Sequence, residues 1–231
     1  MTQPNELFNR HWTIYQAVVS NNAMFHKQFA AVTERAFRSR AEGGAPDVLD
    51  LGCGDAAHIR GILQQVQVHA YTGYDLSEAA LGIAHASLAS IVPELHLMQG
   101  PMERLIEDEQ ADFDIVYSGY AVHHLSDAGK RALVDRIYSL LRPGGVFVLV
   151  DVFREEGQDR EGYLDLMQDW IGRTWGFLDQ GQKELVFGHL RGFDHPALKS
   201  DMDDWGREAG FRLEWVPEID RWHHAVMMHR S

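Results

Sequence analysis

Residues 48 to 57 read V-L-D-L-G-C-G-D-A-A: a short apolar run broken by Asp50, then two glycines flanking Cys53. Gly52 to Ala57 satisfy G-x-G-x-x-A, the turn by which a strand passes the chain to a helix and lets backbone N–H groups reach a ligand. Further apolar runs follow at intervals: HAYTGYD from 69, LHLMQ from 95, FDIVYS from 113 and VFVLVDV from 146. Helical patterns separate them, IRGILQQV from 59, SEAALGIAHASLAS led by Ser77 and SDAGKRALVDRIYSLL led by Ser126, each serine placed as an N-cap. Strands alternating with helices predict an α/β fold on a mostly parallel sheet. Arg142-Pro143-Gly144-Gly145 is expected to stop the last helix and turn the chain into the fifth strand.

After this stretch come DMDDWGREAG, with Ser200 as its expected cap, and two apolar runs, FRLEWV and HHAVMMH, with no helix between them. So close a spacing predicts an antiparallel hairpin at the end of the sheet, giving seven strands with the last one reversed. Residues 153 to 199 form a long insertion after the fifth strand, rich in aromatics and partly helical in spacing. Its position at a strand's carboxyl end reads as a lid. At the N-terminus Phe8, Trp12, Tyr15 and Val19 recur on one helical face. That helix packs into the core or covers the cleft; both readings stand. The division is therefore 1–45 as an N-terminal helical cover and 46–231 as the core, with the lid at about 153–199.

Bulk properties narrow the function. The chain has 231 residues with a formal net charge of −13, from 21 basic against 34 acidic residues. No run of Lys and Arg offsets that charge, which argues against nucleic acid as partner. No stretch is apolar for the roughly 18 residues that a membrane span requires, and the first residues lack the pattern of a signal peptide. A single cysteine forms no internal disulfide, consistent with a cytoplasmic protein. The oligomeric state is left open by the sequence.

Charge also bears on what the glycine turn holds. In a nicotinamide enzyme it would meet a pyrophosphate, yet here Asp50 and Asp55 flank the glycines. At about 4 to 6 Å and an effective dielectric near 20, each like-charge contact costs roughly 3 to 4 kcal/mol before relaxation. A ligand carrying an ammonium and a sulfonium and no phosphate would be attracted instead, and S-adenosylmethionine is one.

The chain from about Asp47 onward resembles the class I S-adenosylmethionine-dependent methyltransferases, the small-molecule type found in quinone biosynthesis among them. VLDLGCGDA matches that family's first motif, GYDLS its second, FDIVYSGYAVHHL its fourth-strand motif and LLRPGGVFVLVDV its fifth. The resemblance implies a Rossmann-like, seven-stranded, mostly parallel sheet with an antiparallel last strand and helices on both faces, and S-adenosylmethionine as cofactor. By that resemblance Gly52, Cys53 and Gly54 form the loop at the methionine end, which Asp50 orients through its charge. Asp75 receives both ribose hydroxyls, Leu76 and Met102 pack on the adenine, and the Ser118 carbonyl receives the ammonium. One departure stands out. Where the family commonly has Gly-Asp after the third strand, this chain has Gly100-Pro101-Met102-Glu103.

Thirteen histidines raise the question of a metal. Neighbouring residues of a strand point to opposite faces, so neither His123-His124 nor His223-His224 is expected to chelate, and no zinc-type spacing is present. No metal is expected. In the resembling enzymes a His-His-Leu loop after the fourth strand overhangs the site of transfer. There His123 or His124 would deprotonate or hydrogen-bond the accepting atom, or else merely pack the following helix. Asn/Asp-Pro-Pro-Tyr, which marks many methylases of nucleic-acid and amide nitrogens, is replaced by Ser118-Gly119-Tyr120. A small-molecule acceptor is therefore favoured, framed by Tyr15, Tyr120, Trp170, Trp175 and Trp222, although these aromatics read equally well as core. The alternatives are a non-catalytic S-adenosylmethionine-binding module and an NAD-dependent oxidoreductase.

Overall fold

A computed structural model describes residues 12–108, 110 and 112–231, with the side chains of 105, 107 and 108 also outside the description. Phe8 of the expected N-terminal face lies outside the described residues. The elements in order are α1 Trp12–Ser20, α2 His26–Ala41, β1 Asp47–Leu51, α3 Ala57–Leu63, β2 Ala70–Asp75, α4 Glu78–Leu88, β3 Glu94–Gln99 and α5 Met102–Asp108. They continue with β4 Phe113–Gly119, a 3-10 turn Val122–His124, α6 Asp127–Leu140, β5 Leu141–Arg154, α7 Arg160–Thr174, α8 Gln180–Phe193, β6 Ala197–Leu198, α9 Lys199–Ala209, β7 Arg212–Trp215 and β8 His223–His229. Among the described residues no helix is long and apolar enough to cross a membrane.

The main sheet runs β3-β2-β1-β4-β5-β8-β7, and β8 alone opposes its neighbours, lying between β5 and β7. Alternation along each strand divides the core in two, because successive side chains leave a strand on opposite faces. Val48, Ile115, Tyr117, Val146 and Val148 face Phe37, Ile59, Ile62 and Leu88 of α2, α3 and α4. Leu49, Leu51, Val116, Phe147 and Leu149 face Leu133, Ile137 and Leu140 of α6 and Met202 of α9. Helices thus cover both faces. The chain order reverses between β1 and β4, the crevice where sheets of this kind bind ligands.

The serine caps form as expected: Ser77 accepts from the Ala80 N–H and Ser126 from that of Gly129. Ser200 does not cap. Its helix begins one residue earlier at Lys199, and both its N–H and its hydroxyl pair with Glu156 instead. The Arg142–Gly145 turn is absorbed into β5 as an irregularity, the register passing from Phe113↔Leu141 to Ile115↔Val146. Within the stretch 153–199, α7 and α8 join α1 around a third apolar cluster that includes Ile14, Val18, Tyr163, Leu164, Met167, Ile171 and Trp175. The buried residues of α1 are Ile14 and Val18, whereas Trp12, Tyr15 and Val19 are half-buried. The deepest face of this helix is therefore turned from the one its aromatics suggest.

Candidate active site

The glycine turn follows directly from β1. Gly52 and Cys53 both donate N–H bonds to the Tyr74 carbonyl, at 2.8 and 3.0 Å, so the turn wraps over the end of β2. Gly52 has φ 74°, and a Cβ there would stand 2.4 Å from the Ala121 Cβ, so a side chain is excluded on two counts. Gly54 donates its N–H to Asp75 Oδ2 at 2.9 Å, while Ser77 N–H reaches Asp75 Oδ1 at 2.8 Å. Asp75 thereby ties the two loops together, and each of its oxygens retains lone-pair capacity.

These residues wall one end of a cavity of about 370 Å³. Gly52, Cys53, Gly54, Asp75, Leu76, Pro101 and Met102 line the cavity together with Tyr15, whose hydroxyl donates to Asp55 at 3.4 Å, and with Tyr120, His123, His124 and Trp175. Four expected site residues lie off the wall. Asp50 is buried behind the turn, where its Oδ2 accepts the Tyr71 hydroxyl at 2.6 Å. Burial pushes its pKa up to about 7, the Tyr71 bond acting in the other direction. Ser118 is fully buried and donates its hydroxyl to the Leu51 carbonyl, and Gly119 stands on the wall in its place. Trp170 and Trp222 face each other edge-on within the third cluster, which is the packing reading of those aromatics. Of the three carboxylates around the turn, only Asp75 lines the cavity, so the charge argument narrows to it and to Glu103.

The histidine doublet departs most from its expected geometry. His123 and His124 sit on a 3-10 turn rather than a strand, their ring centroids 4.1 Å apart, and both face Asp194. His123 Nδ1 lies 2.5 Å from Asp151 Oδ1, and its backbone N–H donates to Asp151 Oδ2 at 2.9 Å. Burial acts against a charge on this ring, but Asp151 and then Asp194 outweigh it and push the pKa up to about 9. Burial lowers His124 well below its ordinary range, with His123 adding to the effect, and brings His189 down to about 4. Asp194 is pushed up to about 6 by burial, while His123 acts in the opposite direction.

Sequence reasoning missed His26, His58, His189, His223 and Asp194 on this wall, and Asp151 behind it. His26 stacks on His58 at 4.3 Å and meets Tyr120 edge-on at 5.2 Å. Burial, with His58 and His223, lowers His26 to about 3. Tyr120 itself has φ 57° and donates its hydroxyl to the Met24 carbonyl, which fastens the segment between α1 and α2 over the end of β4. The acid ending VFVLVD was the one available signal for Asp151. His189 and Asp194 meet the doublet only through tertiary folding, and no local pattern joins them.

The sheet order, the glycine turn at the point of reversal and the single reversed strand define the class I methyltransferase fold. Residues 48–145 match the family described as "Methyltransferase domain". An uncharacterized methyltransferase of Synechocystis sp. is 34% identical over 107 residues, 46% of this chain and 47% of the relative. A ubiquinone biosynthesis O-methyltransferase of Psychrobacter arcticus is 34% identical over 112 residues, 46% of this chain and 41% of the relative. The chain spans about half the length of the curated relatives it matches. Among solved structures, the amino pentose methyltransferase CalS10 of Micromonospora echinaspora, with S-adenosylmethionine bound, superposes with a TM-score of 0.63 at 20% identity, covering 94% of this chain and 97% of that one.

Proposed function

We propose that this protein transfers the methyl group of S-adenosylmethionine to a small, largely apolar acceptor held beneath α1, α7 and α8. The observation that carries this reading is the continuity of one cavity. The bare glycine turn and Asp75 close one end, and Ile14, Val18, Met167, Ile171 and Trp175 close the other. The cofactor fits the first end: Gly52 leaves backbone where any Cβ would collide, and Asp75 has oxygen capacity for two neighbouring hydroxyls. Leu76 and Met102 would flank the adenine. When bound, the cofactor supplies an electrophilic methyl on a cationic sulfur, whose displacement depends on in-line alignment at about 3 to 3.5 Å and on exclusion of water. The protein's part is to hold and desolvate the acceptor. Among the described residues the buried Tyr163 hydroxyl and Trp175 Nε1 have no hydrogen-bond partner, and both residues line this chamber. His123 and His124 line the wall between the two ends and would meet the accepting atom.

Titration with S-adenosylmethionine and with NAD, followed by incubation with a metabolite panel, tests the reading. Binding of the sulfonium compound, and its conversion to S-adenosylhomocysteine together with a methylated product, is expected. Selective binding of NAD would overturn the cofactor, and cofactor binding without turnover on any compound would leave a binding module. With its net charge of −13 and an apolar chamber, the protein favours a small molecule over nucleic acid.

A further inference from the structure

At the junction of the lid and the core, three histidine rings converge on one carboxylate oxygen. His124 Nδ1 lies 3.4 Å, His123 Nε2 3.7 Å and His189 Nε2 3.9 Å from Asp194 Oδ1. The donor atoms of His123, His124 and Asp194 all lie within 4.8 Å of one another. Asp194 is 3% exposed, and among the described residues its Oδ1 has no hydrogen-bond partner. A buried carboxylate oxygen without a hydrogen bond is costly. A proton on His123 leaves a gap of 3.7 Å, beyond ordinary hydrogen-bond reach, so ring protonation alone does not satisfy it.

We propose that His123, His124, His189 and Asp194 form a binding site for one divalent transition-metal ion of borderline softness, such as Zn²⁺ or Co²⁺. Imidazole nitrogen with one carboxylate oxygen is a donor set such ions take. Bonds of about 2.1 Å in a tetrahedral set hold the ligand atoms about 3.4 Å apart. The His124 separation from Asp194 already stands there, and those of His123 and His189 are a few tenths of an ångström longer. His189, outside the group that lies mutually within 4.8 Å, would complete the set by turning inward. His123 is already oriented for this task. Asp151 fixes its Nδ1 and leaves Nε2 toward Asp194, the arrangement in which a carboxylate steadies a metal-bound histidine. Asp151 and Asp194 together would balance a double positive charge. All four ligands line the cavity, which gives an ion a path of entry. The doublet chelates here because a 3-10 turn, unlike a strand, turns both rings to one side.

The test uses the full chain, freed of metal with a chelator and titrated with Co²⁺, whose visible d–d absorption reports a low-symmetry site. One equivalent per chain is expected to bind with Kd of about 1 µM or tighter. Asp194→Asn and His124→Ala should each weaken binding by about 100-fold, and Asp151→Asn by about 10- to 100-fold through loss of positioning. His69→Ala, at a ring 58% exposed and far along the chain from the cluster, should bind as the wild type does. Circular dichroism identifies any variant that fails to fold, and His189→Ala then replaces it. Absence of the absorption band up to millimolar Co²⁺, or a band unchanged in Asp194→Asn and His124→Ala, overturns the site. No cofactor or acceptor takes part, so the outcome is separate from that of the methyl-transfer assay.

Discussion

Asp75 does two jobs with one carboxylate, and its substitution should separate them. Both oxygens accept backbone N–H groups, from Gly54 and Ser77, and the residue lines the cavity. Asp75→Asn keeps the size of the side chain but replaces one acceptor with a donor, which opposes an N–H on one side and ligand hydroxyls on the other. Affinity for S-adenosylmethionine should fall by about 1.5 to 3 kcal/mol, the usual range for losing charged hydrogen bonds. Calorimetric titration measures it, and an unaltered affinity would remove Asp75 from the ligand site. Asp50, expected at the cofactor, lies off the cavity wall. Its position two residues before Gly52 was plain, but the parity of β1 turns it to the Tyr71 side of the sheet, behind the turn.

At the scale of elements, α1, α7 and α8 share a core of their own on the sheet's ligand side. Leu164 is fully buried within it, so Leu164→Ala should cost roughly 2 to 5 kcal/mol locally. Hydrogen exchange would locate the loss: amides of these three helices should exchange faster while β1, β4 and β5 keep their protection. An equal loss across the sheet would show that the cluster is no separate unit. Elements of this kind were half legible. The strands and their order along the chain follow from apolar runs and glycine or serine punctuation, because those signals are local. The lid's two helices were visible only as aromatic spacing, since the face each buries is chosen by partners distant in sequence. His189 and Asp194 were illegible for the same reason: α8 and the turn after it bring them to β4's loop, and nothing within ten residues of either announces that meeting.

Across the whole molecule, the end of the central strands β1 and β4 opposite the cavity is held by charge. Asp114 accepts from Arg40 Nη2 at 2.5 Å, Arg142 Nη1 at 2.6 Å and the Asp47 N–H at 3.0 Å, and Arg142 also reaches Asp47 at 2.8 Å. Burial works against the Asp114 carboxylate, but the Asp47 N–H and the two arginines prevail and lower its pKa below the ordinary 3.8. A carboxyl with a depressed folded pKa stabilises fully above its unfolded value and loses that contribution as pH falls through its folded one. Asp114→Asn should therefore destabilise the protein by about 1.5 to 3 kcal/mol at neutral pH. The urea midpoints of variant and parent should then converge below pH 3.8. A gap that persists undiminished in acid would assign the effect to packing.

The position of β8 carries a consequence for synthesis. It pairs with β5 along seven residues and with β7 along four, yet it follows every other described strand in the chain. While a ribosome is still making residues 155 to 222, the far border of β5 has no antiparallel companion and offers its open amides to any passing strand. Emergence of residues 223–229 is what seals that border. A nascent chain stalled just short of this point should therefore be the form most in need of a chaperone.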